Sequence, residues 1–202
     1  MKILLATQNL GKVKELQELL QGEEIEVMSL RDIANWEEVE ETGETFAENA
    51  ALKARVAAKR SGLISLADDS GLEVDALKGA PGVYSARYAG EPKDDERNNE
   101  KLIKELEGVP EEQRSGRFRC ALVIATPEGK EFLTEGTVEG RILKERRGAE
   151  GFGYDPLFYL PDFKRTMAEL NVSQKNKLSH RAQAFQKAIP ILRELMQGHQ
   201  SF

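Results

Sequence analysis

The 202-residue chain carries one cysteine, Cys120, which excludes an intramolecular disulfide and suits a reducing, cytoplasmic setting. It carries two histidines, and neither stands at ligand spacing with a cysteine or with the other, so nothing points to zinc. Long apolar runs are missing: Ile3 to Ala6 is too short for a signal peptide, and no stretch approaches transmembrane length. Excess positive charge is missing too. The net charge is −6, from 29 basic and 35 acidic residues, which argues against a nucleic-acid surface. There is no Walker A loop, no legible Ser/His/Asp nucleophile arrangement, no internal repeat and no low-complexity segment.

What is present is enough apolar residue for one large domain with its own core. Charge is unevenly spread: acids crowd Glu37 to Glu48, while bases gather at Arg141 to Arg147 and at Lys175 to Lys187. Hydrophobic periodicity predicts a strand over Lys2 to Thr7, and then a helix with Val13, Leu16, Leu19 and Leu20 inward. A second strand is expected around Ile25 and Val27, and a helix from Thr45 to Ser61. Thr45 and Glu48 give that helix a capping-box start, and Ser61-Gly62 a stop. Leu63 to Leu66 then reads as a buried strand, which makes the first 70 residues an α/β alternation.

Further on, Asp94 to Glu107 reads as a helix, and Phe118 to Thr126 and Glu131 to Leu143 as strands around a Pro127-Glu128-Gly129 turn. Leu157 to Leu160 is a short strand, and a last helix spans Ser179 to Gln197 with Pro190 inside. The chain is expected to be a single domain over 1–202, with a strand-rich second lobe within about 72–150.

Ala67-Asp68-Asp69-Ser70-Gly71 is the most informative stretch. Adjacent carboxylates at a strand end are costly unless something cationic receives them. Ser70-Gly71 suggests a tight turn whose N–H groups face an anion. Because neighbouring strand side chains point to opposite faces, Asp69 is taken as reaching the site and Asp68 as a supporting contact. Glu41 is the candidate to join Asp69 around Mg²⁺, a cation usually held by one or two carboxylates with waters and phosphates. Lys53 would neutralise phosphate or pair with Asp68.

Thr7-Gln8-Asn9-Leu10-Gly11-Lys12 places a hydroxyl, amides, a glycine and a lysine before a helix N-terminus, a place suited to anions. Lys12 is expected to matter for phosphate binding more than for stability. In Gly151-Phe152-Gly153-Tyr154-Asp155, Phe152 either stacks on a flat ligand or plugs the core, and Asp155 is placed to accept from a ring N–H. Ser179-His180-Arg181 opens the last helix.

Six blocks in order resemble the inosine triphosphate pyrophosphatase family: Thr7 to Lys12, Glu41 to Asn49, Ala67 to Leu72, Gly79 to Arg87, Gly151 to Pro156 and Ser179 to Arg181. The resemblance covers nearly the whole chain. It implies an elongated, two-lobed α/β fold around a long central mixed sheet, with the active-site cleft between the lobes. It implies a likeness to enzymes that cleave ITP, dITP and XTP, with Mg²⁺, to the monophosphate and pyrophosphate, and that are usually homodimers.

By position, Asp69 matches the family's general base and a metal ligand, and Glu41 and Asp68 match the rest of the acidic metal shell. Thr7, Gln8, Asn9, Leu10, Gly11, Lys12, Lys53 and Ser70 match triphosphate contacts. Phe152, Gly153, Tyr154, Asp155, Lys175, His180 and Arg181 match base and substrate contacts. A non-hydrolysing nucleotide sensor and a pyrophosphatase for other modified nucleotides remain as alternatives. Neither nucleic acid nor membrane is expected as a partner.

Overall fold

Three parallel strands begin the sheet in the computed structural model, which describes residues 1–199. Strand β1 (Lys2–Leu5) lies between β2 (Glu26–Ser29) and β3 (Ile64–Val74). Strands β4 (Ser115–Ala125), β5 (Glu131–Ile142), β6 (Phe158–Leu160) and β7 (Arg165–Thr166) follow. The order β2-β1-β3-β4-β5-β6-β7 makes an open, mixed, seven-stranded sheet, with β5-β6 and β6-β7 antiparallel. Helices α1 (Leu10–Leu19), α2 (Phe46–Ser61), α3 (Asp95–Glu105), α4 (Val172–Leu178) and α5 (His180–His199) complete the fold.

Helix α2 starts and stops as its sequence predicts. Thr45 accepts from the Glu48 N–H, Glu48 answers at the Thr45 N–H, and Gly62 closes the end at φ +68°. Strand β3 differs from expectation. No turn forms at Ser70-Gly71; the strand runs on to Val74. Leu72 and Val74 are fully buried, so an extended chain places two more core residues than a turn would.

The chain divides into two compact units. The first comprises Met1–Asp69, Cys120–Gly136 and the chain from Arg181. Its core joins Ile3, Leu5, Leu16, Leu66, Leu122, Ile124, Phe185 and Leu192. Cys120 belongs to it, and burial pushes its thiol well above the ordinary range, as expected of a small core residue. The second unit comprises Ser70–Arg119 and Thr137–His180. Leu72, Val74, Leu102, Leu106, Phe118, Phe158 and Met167 form its core. No helix among the described residues is long and apolar enough to cross a membrane.

Candidate active site

In the first unit, β3 holds Asp68 and Asp69 in extended backbone, so they face opposite sides of the strand. Each carboxylate has its own cation. Asp69 faces α2, where Lys53 Nζ lies 3.9 Å from its Oδ1 and 2.7 Å from Glu41 Oε1. Lys53 therefore bridges Glu41 and Asp69; its direct ion pair is with Asp69 rather than with Asp68. Burial, with Glu41 and Asp68 nearby, pushes the Asp69 carboxyl up to about 6, against the opposing pull of Lys53 and a hydrogen bond from Asn49. Burial works against the Lys53 ammonium, but Asp69, Asp68 and Glu41 outweigh it and hold it above its ordinary range.

Asp68 is taken up on the other side. Lys12 Nζ donates to its Oδ2 at 2.7 Å, and Arg181 Nε approaches the same oxygen at 3.4 Å. Arg181 also reaches Glu15 Oε2 at 3.7 Å. Burial opposes ionisation of Asp68, yet Lys12, Arg181 and Lys53 hold its carboxyl well below the ordinary range. The two aspartates, alike in sequence, are thus electrostatic opposites: one a buried counter-ion, the other a carboxylate of raised basicity.

Two residues tune this centre that the sequence did not single out as site residues. Glu15 on α1 shares Arg181 with Asp68. Asn49 on α2 is 2% exposed, accepts from Gly43 N–H at 2.7 Å and hydrogen-bonds Asp69, so it ties the Glu41 loop to the β3 carboxylate.

A Cβ at Gly43 would sit 2.7 Å from Asn49 Oδ1 and 2.7 Å from Glu48 Cβ. Gly43→Ala must therefore displace the loop carrying Glu41. A stability loss of about 1–3 kcal/mol is expected, together with reduced turnover. In a protein of this size that lowers the melting temperature by roughly 2–10 °C. A thermal melt and turnover indistinguishable from wild type would contradict it.

The Thr7–Lys12 segment is ordered by its own hydrogen bonds and by one from Arg31. Thr7 Oγ1 accepts from Asn9 N–H at 3.1 Å, Asn9 Oδ1 caps α1 through Gly11 N–H at 2.9 Å, and the Gln8 carbonyl accepts from Arg31 Nε at 3.0 Å. Leu10 is largely exposed at the start of α1. Ser70 lies in β3, on the strand face opposite Asp69.

In the second unit, Phe152 is 60% exposed and does not plug the core. Asp155 is buried; its Oδ2 accepts from Phe152 N–H at 3.2 Å and from Lys175 Nζ, whose ammonium lies 5.8 Å from the Phe152 ring centre. A side chain at Gly151 would collide with Asp155 and Lys175, which explains glycine there. Tyr154 is buried and donates its hydroxyl to the Ser85 carbonyl at 2.7 Å. His180 stacks on Phe118, with centroids 5.1 Å apart. The ring is partly buried against this aromatic core residue.

Glu41 and Asp69 suit a hard divalent cation. Two carboxylates already share one ammonium, and the raised Asp69 carboxyl is a group that a further positive charge would stabilise. No cluster of three or more metal-binding side chains occurs among the described residues. Two carboxylates suffice for a hard cation that draws the rest of its shell from water and phosphate.

A model of the Ham1 family matches residues 3–191. The chain belongs to the Ham1 family. Among family relatives, the dITP/XTP pyrophosphatase of Desulforamulus reducens is 58% identical over 195 residues, 96% of this chain and 97% of that protein. The dITP/XTP pyrophosphatase of Bacillus subtilis is 53% identical over 189 residues, 94% and 96% of the two chains. A solved Ham1 protein from Coxiella burnetii superposes with a TM-score of 0.91 at 44% identity, covering 96% of this chain and 99% of that one. The family agrees with the resemblance drawn from the six sequence blocks.

Proposed function

We propose that the chain hydrolyses non-standard purine nucleoside triphosphates (ITP, dITP and XTP) to the monophosphate and pyrophosphate. The observation that carries this reading is the Asp69 centre: a carboxylate of raised basicity beside Glu41 and Lys53. The names of relatives at 53–58% identity support the substrate class. At neutral pH Asp69 is ionised yet more basic than an ordinary aspartate, which suits a group that orients a water and accepts its proton.

Lys53 supplies fixed positive charge to a triphosphate, and the N-terminus of α1 adds the positive end of its helix dipole. Mg²⁺, held by Glu41 and Asp69, would screen phosphate charge and acidify water. Asp68 keeps Lys12 and Arg181 in place rather than ligating metal. The ring of Phe152 and the Asp155 carboxylate are the proposed base contacts in the second unit. A homodimer in the cytoplasm is the proposed working form.

The base edge sets the selectivity test. ITP and XTP present a 6-oxo acceptor and an N1–H donor, whereas ATP presents the reverse. A site built to pair one pattern leaves its groups unpaired against the other, and such sites discriminate by up to about 10⁴. A panel of ITP, dITP, XTP, GTP and ATP with Mg²⁺ is expected to show kcat/KM for ITP at least about 10² above ATP. Equal turnover of ATP would contradict the reading, and binding without hydrolysis would mark a sensor.

A further inference from the structure

Helix α3 is polar over most of its surface, and part of that polar surface is turned inward. Asp95 and Asn99 stand one turn apart on it, and both reach the same residue of the Gly151–Asp155 loop. Asp95 Oδ2 accepts from Gly153 N–H at 2.8 Å. Asn99 Nδ2 donates to the Gly153 carbonyl at 2.8 Å and to the Asp95 carbonyl at 2.7 Å. With both amide hydrogens committed to carbonyl oxygens, the orientation of Asn99 is fixed; turned over, its oxygen would face two acceptors.

Asn99 itself is 2% exposed, while Asp95 and Gly153 are half-buried. The residue these bonds hold is left-handed, at φ +61°. Beside it stands Phe152, a large ring 60% exposed with little packing to fix its place. Apart from the Lys175 ammonium 5.8 Å from its centre, its position is set through the backbone.

Helix α3 does not need these bonds to stay docked. Asn98 already ties it to the preceding segment, donating to the Ala86 carbonyl at 3.0 Å and accepting from Ala89 N–H at 2.7 Å. Leu102, with Leu106 just past its last residue, buries its apolar side. Asp94, not Asp95, caps its N-terminus.

We propose that Asp95 and Asn99 are positioning residues for base recognition: they clamp Gly153 from both sides and so preform the surface, the Phe152 ring and the Asp155 carboxylate, that meets a flat, hydrogen-bonding purine. This rests on the reading of the chain as a purine nucleoside triphosphate pyrophosphatase. Preforming a loop removes the ordering cost from binding, so loss of the clamp acts on KM rather than on chemistry.

The test compares wild type, Asp95→Ala, Asp95→Asn and Asn99→Ala by hydrogen exchange at the Gly153 amide without nucleotide, and by KM and kcat for ITP with Mg²⁺. Asp95→Ala is expected to speed exchange at Gly153 at least about tenfold and to raise KM about tenfold, with kcat within about threefold. Asp95→Asn, whose amide oxygen can still accept, brings both back toward wild type. Asn99→Ala raises KM in the same direction; should it fail to fold, the Asp95 pair decides alone. A freed Gly153 amide with unchanged KM, a fall in kcat at unchanged KM, or no rescue by Asp95→Asn overturns the proposal while leaving the enzyme reading intact. Wild-type protein that neither binds nor hydrolyses ITP overturns both.

Discussion

Asp69→Asn is expected to lose about 10² to 10⁴ in kcat, the usual cost of removing a positioned base. The amide keeps the volume and can still accept a hydrogen bond, but it takes no proton and brings no negative charge to a cation shared with Glu41. The fold should survive. The Asp69 carboxyl is pushed up to about 6 because burial and Glu41 disfavour its charge, so a neutral replacement relieves that strain. The expected combination is a protein at least as stable as wild type and nearly inactive. Steady-state kinetics at saturating Mg²⁺, with a denaturation curve, checks both halves. Near-normal turnover would move the base to another group, with Glu41 the next candidate.

Lys12→Met is expected to be strongly destabilising. From sequence, Lys12 reads as a phosphate contact at a loop–helix junction, with little packing role. The structure instead pairs it with the buried Asp68 carboxylate at 2.7 Å, where the side chains are 20% and 2% exposed. Removing one partner of a buried pair leaves an uncompensated charge and costs about 3–5 kcal/mol. Arg181 remains beside Asp68 at 3.4 Å, which places the expected loss at the lower end of that range.

Urea unfolding of Lys12→Met, Asp68→Asn and the double variant tests this. The double variant should lose less than the sum of the two singles, because it strands no carboxylate. Losses that simply add, or a single-variant loss below about 1 kcal/mol, would show that the pair is not coupled.

The α/β alternation of the first 70 residues was legible because its signals are local. Thr45 and Glu48 cap α2 and Gly62 ends it, and Val13 and Leu16 fall on one helix face. Strand β3 was legible only to Leu66. Ser70-Gly71 has turn composition, but Leu72 and Val74 find a core in the second unit, a tertiary gain that local propensity does not contain. Strand β7, two residues long, and the seven-residue helix α4 are too short to carry a period.

The candidate site divides the same way. Asp69, Glu41 and Lys53 were singled out from residue type and strand alternation, and the structure sets the Lys53 ammonium beside both carboxylates. That Asp68 would absorb Lys12 and Arg181 was not readable, since Arg181 lies 113 residues further along the chain. Asn49, Asn98 and Asn99 were missed because buried asparagines look like solvated ones until their carbonyl and amide partners are placed.

The central claim is water attack on the α–β phosphoanhydride at the Asp69 centre, and the initial products of ITP hydrolysis test it most directly. Wild-type protein with Mg²⁺, sampled within the first few per cent of turnover and resolved by anion exchange, is predicted to give IMP and pyrophosphate in equal amounts. IDP with orthophosphate as the first products would contradict the account.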